Sequence, residues 1–587
     1  MNSTVDNNCG HLSHIRYCGA VLLCLLSATM LSNTMVGQPR QPDFAFSGIR
    51  YRIELDLDFR NATFLGVETV RFTNAGRDEM ESVLFNLYPN VGLAEDEALW
   101  LSVSRVTFNG RELHFSSRSR QAVLKIDLPS KLASGQSMEL RLEFSAHIPS
   151  VQREEASLLA HFLQEVNDAV SDERSVRDTR DVFFAGEEAM LLGSFYPILA
   201  ARPSQLSEQS LVAGAGGILF SEAADYEVRV TADEGLTIIA SAPEAERQPV
   251  VRPSSADASS GSNPHPRRTS VFRGERLRGF GLAVVERVKS LQQQVGGIRV
   301  VSYFREGDEK LGKRAMSIAA HALETYTQAF GNYPYPLLQI VEMPLPAGYS
   351  DTQLPGLIIM AQAYFIDFDA PRSARLPGVL REQADVIKTS FEFTLAHGVA
   401  HQWWGCVVGS DPERAPYLDE AIACYAAVYY HELAYGKPIG EIIIKQQLNG
   451  TYQAYRMLGG ADQEVDKPAR DFRNTLQFTA IAQAKGALLI AALRRELGDE
   501  KFFAALKSYY STYSFRISTP EQFRGAFLNV AEDPRGVRTL FQRWLREKHG
   551  DEDIGAPDLT LLSPSVSKIR AFGRVFVKIG KTAVKPF

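Results

Sequence analysis

The stretch that decides the fold is His397-Gly398-Val399-Ala400-His401-Gln402-Trp403-Trp404-Gly405. In a helix, residues four positions apart lie on the same face, so His397 and His401 point toward a common centre. A third candidate ligand, Glu420, follows His401 by 19 residues, which allows a second helix to cross the first. Two imidazoles and one carboxylate are ligands of catalytic zinc sites with one open position. The sequence therefore predicts a zinc site at His397, His401 and Glu420.

The residue between these histidines that matters most is Gly398. In the H-E-x-x-H motif of zinc hydrolases, the same position carries a glutamate that acts as general base. Glycine has no group that accepts a proton, and within a helix it costs about 1 kcal/mol relative to alanine. The nearest preceding carboxylate, Glu392, points about 140 degrees away from His397 around the helix. We therefore expect a zinc site without its usual general base.

Length and composition limit the class of protein. The chain has 587 residues, of which 45% are hydrophobic and 22% are charged, and its formal net charge is -6. Such values are typical of a folded globular protein, and the length suggests about three domains. Because basic residues are not in excess, the composition argues against a nucleic-acid partner.

The N-terminal segment has the pattern of an export signal. Arg16 precedes an uncharged run over residues 17–38, whose most apolar part is 20–31. This pattern predicts a signal peptide at residues 1–37, cleaved near 28–37. The alternative is an uncleaved signal anchor, because the run is about long enough to span a bilayer. We expect an exported protein, periplasmic or extracellular, which contacts a membrane only if this segment stays attached.

The cysteines do not form a disulfide framework. Cys9, Cys18 and Cys24 lie in or before the export signal, so a cleaved protein keeps only Cys406 and Cys424. The simplest interpretation of these two is that they are small buried apolar residues. The alternative concerns Cys424, which lies one helical turn after Glu420 and is therefore on the side that faces the predicted metal.

The chain after the signal alternates between apolar and polar residues, as at 51–59 and 66–72. Alternation of this kind is typical of half-buried strands and predicts an antiparallel β-rich domain over residues 44–295. Two interruptions occur, a charged and partly helical one at about 149–188 and one at 243–270. The second is rich in serine and proline with few apolar residues, so we expect a disordered surface loop there.

From about residue 296 the pattern changes to mixed α/β. A strand at 298–304, a long helix at 310–330 and a strand at 338–343 are followed by helices that begin near Arg381 and Tyr417. These last two helices carry the histidine pair and Glu420. Helical patterns continue to about residue 547, which gives a second domain at 296–550. A short tail, 551–587, contains a strand-like run at 575–579.

Three groups of residues occur together in this second domain. They are His-Gln-Trp-Trp-Gly from His401, Leu-Asp-Glu-Ala around Glu420, and Lys-Gly-Ala-Leu from Lys485. In this order they resemble the gluzincin aminopeptidases of the membrane alanyl aminopeptidase and leukotriene hydrolase family. The resemblance implies a multidomain β plus α/β fold. An N-terminal antiparallel β-sandwich-like domain would precede a thermolysin-like mixed α/β, mainly helical zincin domain that binds one zinc ion.

Three positions depart from the pattern of that family. Gly398 stands at the general base. Gln353 stands at the glutamate of the family's Gly-Gly-Met-Glu-Tyr-Pro loop, which binds the free amino group of the substrate. Its neutral amide lacks charge-assisted attraction for an ammonium, although Asp351 offers a charge two residues away. Gln483 stands where a tyrosine stabilises the tetrahedral intermediate, and a glutamine N–H can also donate to an oxyanion.

These departures favour an exported pseudopeptidase that keeps its zinc, is inactive or strongly impaired, and binds a peptide or protein N-terminus in its cleft. General acid-base catalysis contributes about 100- to 10,000-fold and one oxyanion donor about 100- to 1,000-fold, so losing both leaves little of the rate. The alternative is an active zinc-dependent aminopeptidase or hydrolase with an unconventional base. A purely structural protein fits poorly with three ligands at the family's spacing.

Overall fold

The first half of the chain is built from strands whose side chains alternate between core and solvent. A computed structural model describes residues 46–94, 96–118, 121–170, 179–201, 215–217, 219–250 and 266–556. In the first strand, Ile53, Leu55 and Leu57 are buried while the residues between them are exposed. This is the alternation that the sequence predicts for a half-buried strand. The predicted signal at 1–37 and the strand-like run at 575–579 lie outside the described residues.

The strands of this half follow one another along the chain with a single long helix between the eighth and the ninth, α1 (Leu158–Val170). In chain order they are β1 (Phe46–Asp58), β2 (Thr63–Asn74), β3 (Met80–Asn86), β4 (Leu101–Phe108), β5 (Arg111–Glu112), β6 (Phe115–Arg118), β7 (Val123–Leu132), β8 (Ser137–His147), β9 (Phe183–Ala185), β10 (Ala189–Gly193), β11 (Ile198–Leu199), β12 (Ala224–Asp233), β13 (Thr237–Ala240), β14 (Glu244–Pro249), β15 (Arg267–Leu277) and β16 (Gly281–Val285).

These strands form three sheets. The largest has the order β14-β15-β12-β1-β2-β8-β4-β5, and two four-stranded sheets have the orders β13-β16-β10-β9 and β11-β3-β7-β6. Phe64 of the large sheet meets Phe183 of the second sheet edge to face, with ring centroids 6.4 Å apart. Aromatic contact between the inner faces of two sheets is typical of sandwich packing. The β-sandwich-like character of this half is therefore confirmed.

One pair in the large sheet departs from the antiparallel prediction. β1 runs parallel to β12, with Ile53 opposite Val228, whereas its other neighbour β2 is antiparallel. Parallel neighbours need a long connection, and the many strands between β1 and β12 provide one. The alternation of a single strand does not distinguish the two directions, so the sequence pattern could not indicate this pair.

The prediction of a disordered loop over residues 243–270 is wrong at both ends of that range. β14 occupies its beginning and β15 its end, and the two strands pair with each other, with Arg247 opposite Ser270. Polar side chains are compatible with these strands because β14 forms the edge of the sheet and is mostly exposed. Residues 251–265, between the two strands, lie outside the described residues.

A fourth sheet has the order β17-β18-β19-β21-β20. Its strands are β17 (Lys289–Val295), β18 (Ile298–Phe304), β19 (Leu337–Met343), β20 (Asp351–Leu354) and β21 (Leu357–Ala361). β17 and β18 form a hairpin through Gly296 and Gly297, whose φ angles are +53° and +86°. A two-residue turn with both φ positive favours glycine. The predicted domain boundary at 295/296 therefore falls inside a hairpin, and this sheet begins at Lys289.

The second half is mainly helical, as predicted. After α1 the helices are α2 (Glu309–Phe330), α3 (Gly378–Glu382), α4 (Ala384–Ala400), α5 (Tyr417–Tyr435), α6 (Lys437–Ile443), α7 (Gly450–Met457), α8 (Thr475–Phe478), α9 (Gly486–Tyr513), α10 (Pro520–Leu528), α11 (Pro534–Phe541) and α12 (Gly550–Asp553). α12 crosses the predicted start of the C-terminal tail at residue 551. Wider π-helical turns occur at Ile444–Asn449, Thr479–Lys485 and Gln542–Arg546.

The segment from α8 to the end of α9 is the longest apolar helical stretch. Gly498 interrupts it with a φ of +74°. The segment Thr475–Tyr513 is long and apolar enough to cross a membrane, but 78% of its most apolar stretch is buried inside the fold. A buried helix of this kind belongs to the protein core.

Candidate metal centre

The metal centre lies where the end of α4 meets the start of α5. The last turns of α4 are buried, including Leu395 and Val399, and α5 packs against them through an equally buried face. Because α4 is surrounded by other elements, its polar residues must have partners inside the protein. His397 and His401 emerge from this buried part, and Glu420 emerges from the first turn of α5.

The three predicted ligands converge. The Nε2 atoms of His397 and His401 are 3.1 Å apart. Oε2 of Glu420 lies 3.4 Å from Nε2 of His397 and 3.5 Å from Nε2 of His401. All three ligand atoms fall within 4.8 Å of one another, and no other group of three such residues does so in the described part of the chain. The donor set and its spacing fit a zinc ion with an open fourth position.

Neighbouring groups hold two of the ligands in orientation. Nδ1 of His401 lies 3.0 Å from the carbonyl oxygen of Trp404, to which it donates, so that Nε2 faces the centre as an acceptor. Nε2 of Gln483 donates to Oε2 of Glu420 at 2.8 Å. Contacts of this kind fix ligand orientation and are worth 10- to 100-fold in metal affinity in general. The support around the ligands could not be seen in the sequence.

Gly405 allows the chain to turn closely around His401. Its φ is +104°, and a Cβ at this position would lie 3.3 Å from Oδ2 of Asp419 and 3.5 Å from Nδ1 of His401. A side chain here would be strained by the backbone and crowded by both groups. The glycine that ends the His-Gln-Trp-Trp-Gly motif is thus required by the geometry of the ligand.

The electrostatics of the cluster favour a cation. Burial alone would lower the pKa of His397, but contacts with Cys424, Asp351 and Glu420 outweigh burial and raise this pKa well above its usual value. Burial alone would raise the pKa of Glu420, but its contacts with the two histidines lower it. Burial and the neighbouring Glu420 raise the pKa of Asp419 to about 6. Concentrated negative charge of this kind suits a divalent metal ion.

The space beside Gly398 is not empty. A Cβ built on Gly398 would lie 3.1 Å from Cγ2 of Ile358, 3.4 Å from Oδ2 of Asp351 and 3.6 Å from Nε2 of Gln353. These residues belong to β21 and β20, where Gln353 pairs with Ile358 across the edge of the fourth sheet. Alternate residues of a strand share a face, so Asp351 and Gln353 both point toward α4.

Asp351 is firmly held. Gln353 Nε2 donates a short hydrogen bond to Oδ2 of Asp351, and Ser350 Oγ donates to Oδ1 at 3.1 Å. Oδ2 also lies 3.8 Å from Nδ1 of His397, and the Asp351 side chain is only 11% exposed. The sequence placed Asp351 two residues from Gln353 but did not indicate its direction. The alternation rule put the two on one face, and only the packing of β20 against α4 shows which face it is.

Glu392, the other candidate considered for the missing base, has different partners. Its carboxylate accepts hydrogen bonds from Arg314 at 2.9 Å, Tyr430 at 3.0 Å and Tyr435 at 2.5 Å. Arg314 and the tyrosine phenols hold it on the side of α4 away from the ligands, as its helical position predicted. Glu392 is thus a structural carboxylate that links α4 to α2 and α5.

Both remaining cysteines are free and buried. Burial raises the pKa of the Cys406 thiol to about 12, as expected for an unreactive core residue. Cys424 is also buried, with a pKa raised by burial, but it interacts with His397. It does not belong to the group of three converging ligand atoms. Cys424 therefore lies beside the candidate metal centre but is not one of the three converging ligand residues.

Fold and centre together define a zinc-metallopeptidase fold of the gluzincin type. Residues 314–544 match the peptidase family M1 domain, which supports the resemblance to the gluzincin aminopeptidases. The crystal structure of an M1 zinc metallopeptidase from Deinococcus radiodurans superposes with a TM-score of 0.55 at 16% sequence identity, covering 86% of this chain and 95% of that one. This likeness supports the fold, a β-rich part followed by a helical zincin domain.

Two aminopeptidases are similar to part of this chain. Aminopeptidase M1-D of Oryza sativa subsp. japonica is 27% identical over 264 residues, which cover 44% of this chain and 28% of that protein. Aminopeptidase N of Mus musculus is 25% identical over 268 residues, which cover 43% of this chain and 26% of that protein. The chain therefore matches less than a third of the length of these relatives.

Proposed function

We propose that this protein is a zinc-dependent hydrolase of the M1 aminopeptidase type that acts at a strongly reduced rate on the amino-terminal end of peptides. The observation that carries this proposal is the convergence of His397, His401 and Glu420, with two of the three oriented by neighbours that do not compete for a metal. Ligands without a function rarely keep such support, because buried polar groups are costly to arrange.

One zinc ion would be held by Nε2 of each histidine and by Oε2 of Glu420. An ion held by these residues would supply Lewis-acid polarisation of a substrate carbonyl group. The protein contributes the fixed orientation of His401 through the Trp404 carbonyl and that of Glu420 through Gln483. Because the Gln483 amide carries two N–H groups, the second remains to donate toward a developing oxyanion.

The reduced rate follows from the neutral groups around the ligands. Gln353 offers an amide in place of a carboxylate for the substrate's amino group, which weakens the attraction for an ammonium. Position 398 offers no proton acceptor. Loss of a general base costs about 100- to 10,000-fold, so any activity depends on another group that accepts a proton.

A second candidate function is binding without turnover. Gln353 and Gln483 are both neutral where the family carries groups that act on substrate, which favours a protein that holds a peptide or protein N-terminus in its cleft. In this case zinc would position the bound end of the chain without cleaving it. The two candidates share the metal and differ in chemistry alone.

Metal content and turnover separate these candidates. Purified protein should contain about one zinc per chain and hydrolyse aminoacyl or ester fluorogenic substrates in a chelator-sensitive manner. His401→Ala should lose both, whereas the exposed control His321→Ala should lose neither. Zinc without turnover would favour the binding protein, and protein without zinc would contradict both.

We also propose that the protein is exported. The uncharged run at 17–38 after Arg16 supports this proposal. Mass spectrometry of the protein isolated from its native host should find a mature N-terminus near residues 28–37. A chain that starts at Met1 and fractionates with cytoplasmic proteins would contradict export, and one that starts at Met1 in the membrane fraction would indicate the signal anchor.

A further inference from the structure

The carboxylate nearest to the vacant position on α4 comes from a different element. Oδ2 of Asp351 lies 3.4 Å from where a Cβ of residue 398 would be. In the family's Gly-Gly-Met-Glu-Tyr-Pro loop, which aligns with 350–355, a glycine stands at position 351, and the family's zinc motif has glutamate at position 398. In this chain α4 carries no carboxylate at position 398, and the edge strand β20 places the carboxylate of Asp351 beside that position.

We propose that Asp351 supplies, from the edge strand β20, the carboxylate that α4 lacks at position 398, and that its Oδ2 accepts the proton of the attacking water. This inference rests on the proposed hydrolase function. The O–H bond of the water breaks and its proton moves to Oδ2. The electron pair left on the water oxygen forms the new bond to the carbonyl carbon of the substrate, while the π pair of the C=O bond moves onto the carbonyl oxygen and returns when the bond to the leaving nitrogen breaks. The same proton then passes to the leaving nitrogen as its bond to that carbon breaks.

The environment of Asp351 suits this role. Hydrogen bonds from Gln353 and Ser350 fix its two oxygens, yet an ionised carboxylate accepts about four hydrogen bonds, so lone pairs remain for a water molecule. The side chain is 11% exposed and is therefore not fully enclosed. Its position beside His397 places it next to the ligand cluster without making it part of that cluster.

The same geometry explains the role of Gln353. A glutamate at position 353 would place a second carboxylate against Asp351, and like charges this close repel. The neutral amide instead donates to Oδ2. The glutamine at position 353 therefore avoids a second negative charge beside Asp351 and supplies a donor to it.

The proposal predicts that restoring the family's glutamate alone fails. In Gly398→Glu the new side chain begins 3.1 Å from Cγ2 of Ile358 and 3.4 Å from Oδ2 of Asp351, so it meets both a packed methyl group and a like charge. Removing Asp351 at the same time frees that space. The two positions should therefore behave as one unit in a double-mutant cycle.

The experiment compares Asp351→Asn, Asp351→Gly, Gly398→Glu and the double variant Asp351→Gly/Gly398→Glu in the full-length protein. Zinc content, Tm and chelator-sensitive turnover of an aminoacyl substrate are measured, with Asp385→Asn on the exposed start of α4 as the matched control. We expect Asp351→Asn to keep its zinc and to lose about 100-fold or more in kcat with little change in KM. Gly398→Glu should lower Tm without a gain in turnover. The double variant should return Tm to the wild-type value and should hydrolyse the substrate.

Each result decides a separate point. Turnover in the wild type that survives Asp351→Asn at full zinc content would overturn the role of Asp351 and leave the proposed function standing. A rise in KM at constant kcat would show that Asp351 binds the substrate's amino group and would also overturn it. Additive effects on Tm would contradict the exchange between the two positions. Absence of turnover in zinc-loaded wild type would overturn the proposed function and the proton transfer together.

Discussion

The helix pair α4 and α5 and the strand β20, which meet at the candidate metal centre, differ in how closely they follow the M1 pattern. On the helical side, α4 and α5 carry His397, His401 and Glu420 in converging positions, all backed by buried packing. On the opposite side, the edge strand β20 carries Asp351 and Gln353, and Gln353 stands where the family has a glutamate. The helical side therefore matches the family's predicted ligand set, and the strand side departs from the family's loop at Gln353.

This difference reflects how each side is built. The ligand positions depend on two helices packed inside the core, where a shift of one residue would displace many buried side chains. An edge strand has only one neighbour in its sheet, and β20 pairs with β21 alone. Side chains on such a strand change at little cost to the core. The packing therefore constrains the three predicted ligand positions more strongly than the positions on β20.

The largest effect should come from breaking the helical side. Glu420→Ala leaves two imidazoles and removes the only anionic ligand, so we expect zinc content and turnover to fall to background. The exposed control Glu441→Ala, on α6, should keep both. Metal analysis after dialysis against a weak chelator measures the difference. A variant that retains one zinc per chain would show that Glu420 is not a ligand.

A smaller effect should follow from removing the support of a ligand. Gln483→Ala deletes the hydrogen bond to Oε2 of Glu420, and we expect zinc affinity to fall by about 10- to 100-fold. Competition with a chromophoric chelator gives the affinity. Gln483→Glu serves as a contrast, because two carboxylates in contact should disfavour each other in the apoprotein. Unchanged affinity in Gln483→Ala would indicate that this contact does not orient Glu420.

The strand side can be tested by restoring the family's glutamate at position 353. Gln353→Glu removes the donor to Asp351 and adds a like charge, so we expect the free energy of unfolding to fall by about 1 to 3 kcal/mol without a gain in turnover. Gln292→Glu, on the exposed β17 at the other edge of the same sheet, should change it by less than about 0.5 kcal/mol. Urea unfolding measures both. Increased turnover in Gln353→Glu would show that the strand still follows the family's mode of substrate binding.

The smallest effect is expected at Cys424. Cys424→Ser should retain one zinc per chain, because Cys424 lies beside His397 and outside the group of converging ligand atoms. Metal analysis together with absorption spectra of the cobalt-substituted protein checks this expectation. A thiolate-to-cobalt band in the wild type that disappears in Cys424→Ser would identify the thiol as a ligand and remove the distinction between ligands and neighbours made here.

The ligand positions on the helical side could be predicted from the sequence because side chains on an α-helix repeat with a regular spacing. Residues four apart on a helix share a face, so His397 and His401 were paired from their spacing alone, and the long helix α2 was predicted to within one residue. The direction of Asp351 could not be predicted. Alternation puts Asp351 and Gln353 on one face of a strand, but which face meets α4 depends on contacts between residues distant in sequence.

Two further features could not be predicted from the sequence pattern, and a third could have been. Gln483 reaches Glu420 from a π-helical turn, a local widening of the helix for which the sequence pattern gave no sign. The parallel pairing of β1 with β12 joins strands from distant parts of the chain. The β17–β18 hairpin is a different case, because Gly296 and Gly297 between two alternating runs are a known turn signal that would have shifted the predicted boundary.

The most direct test is the structure of the zinc-loaded protein, with the metal located by anomalous scattering at the zinc edge. We predict one zinc bound by His397, His401 and Glu420, with the Asp351 carboxylate outside the coordination sphere and facing the open fourth position. Zinc coordinated by Asp351 itself, or a carboxylate turned away from that position, would contradict the account.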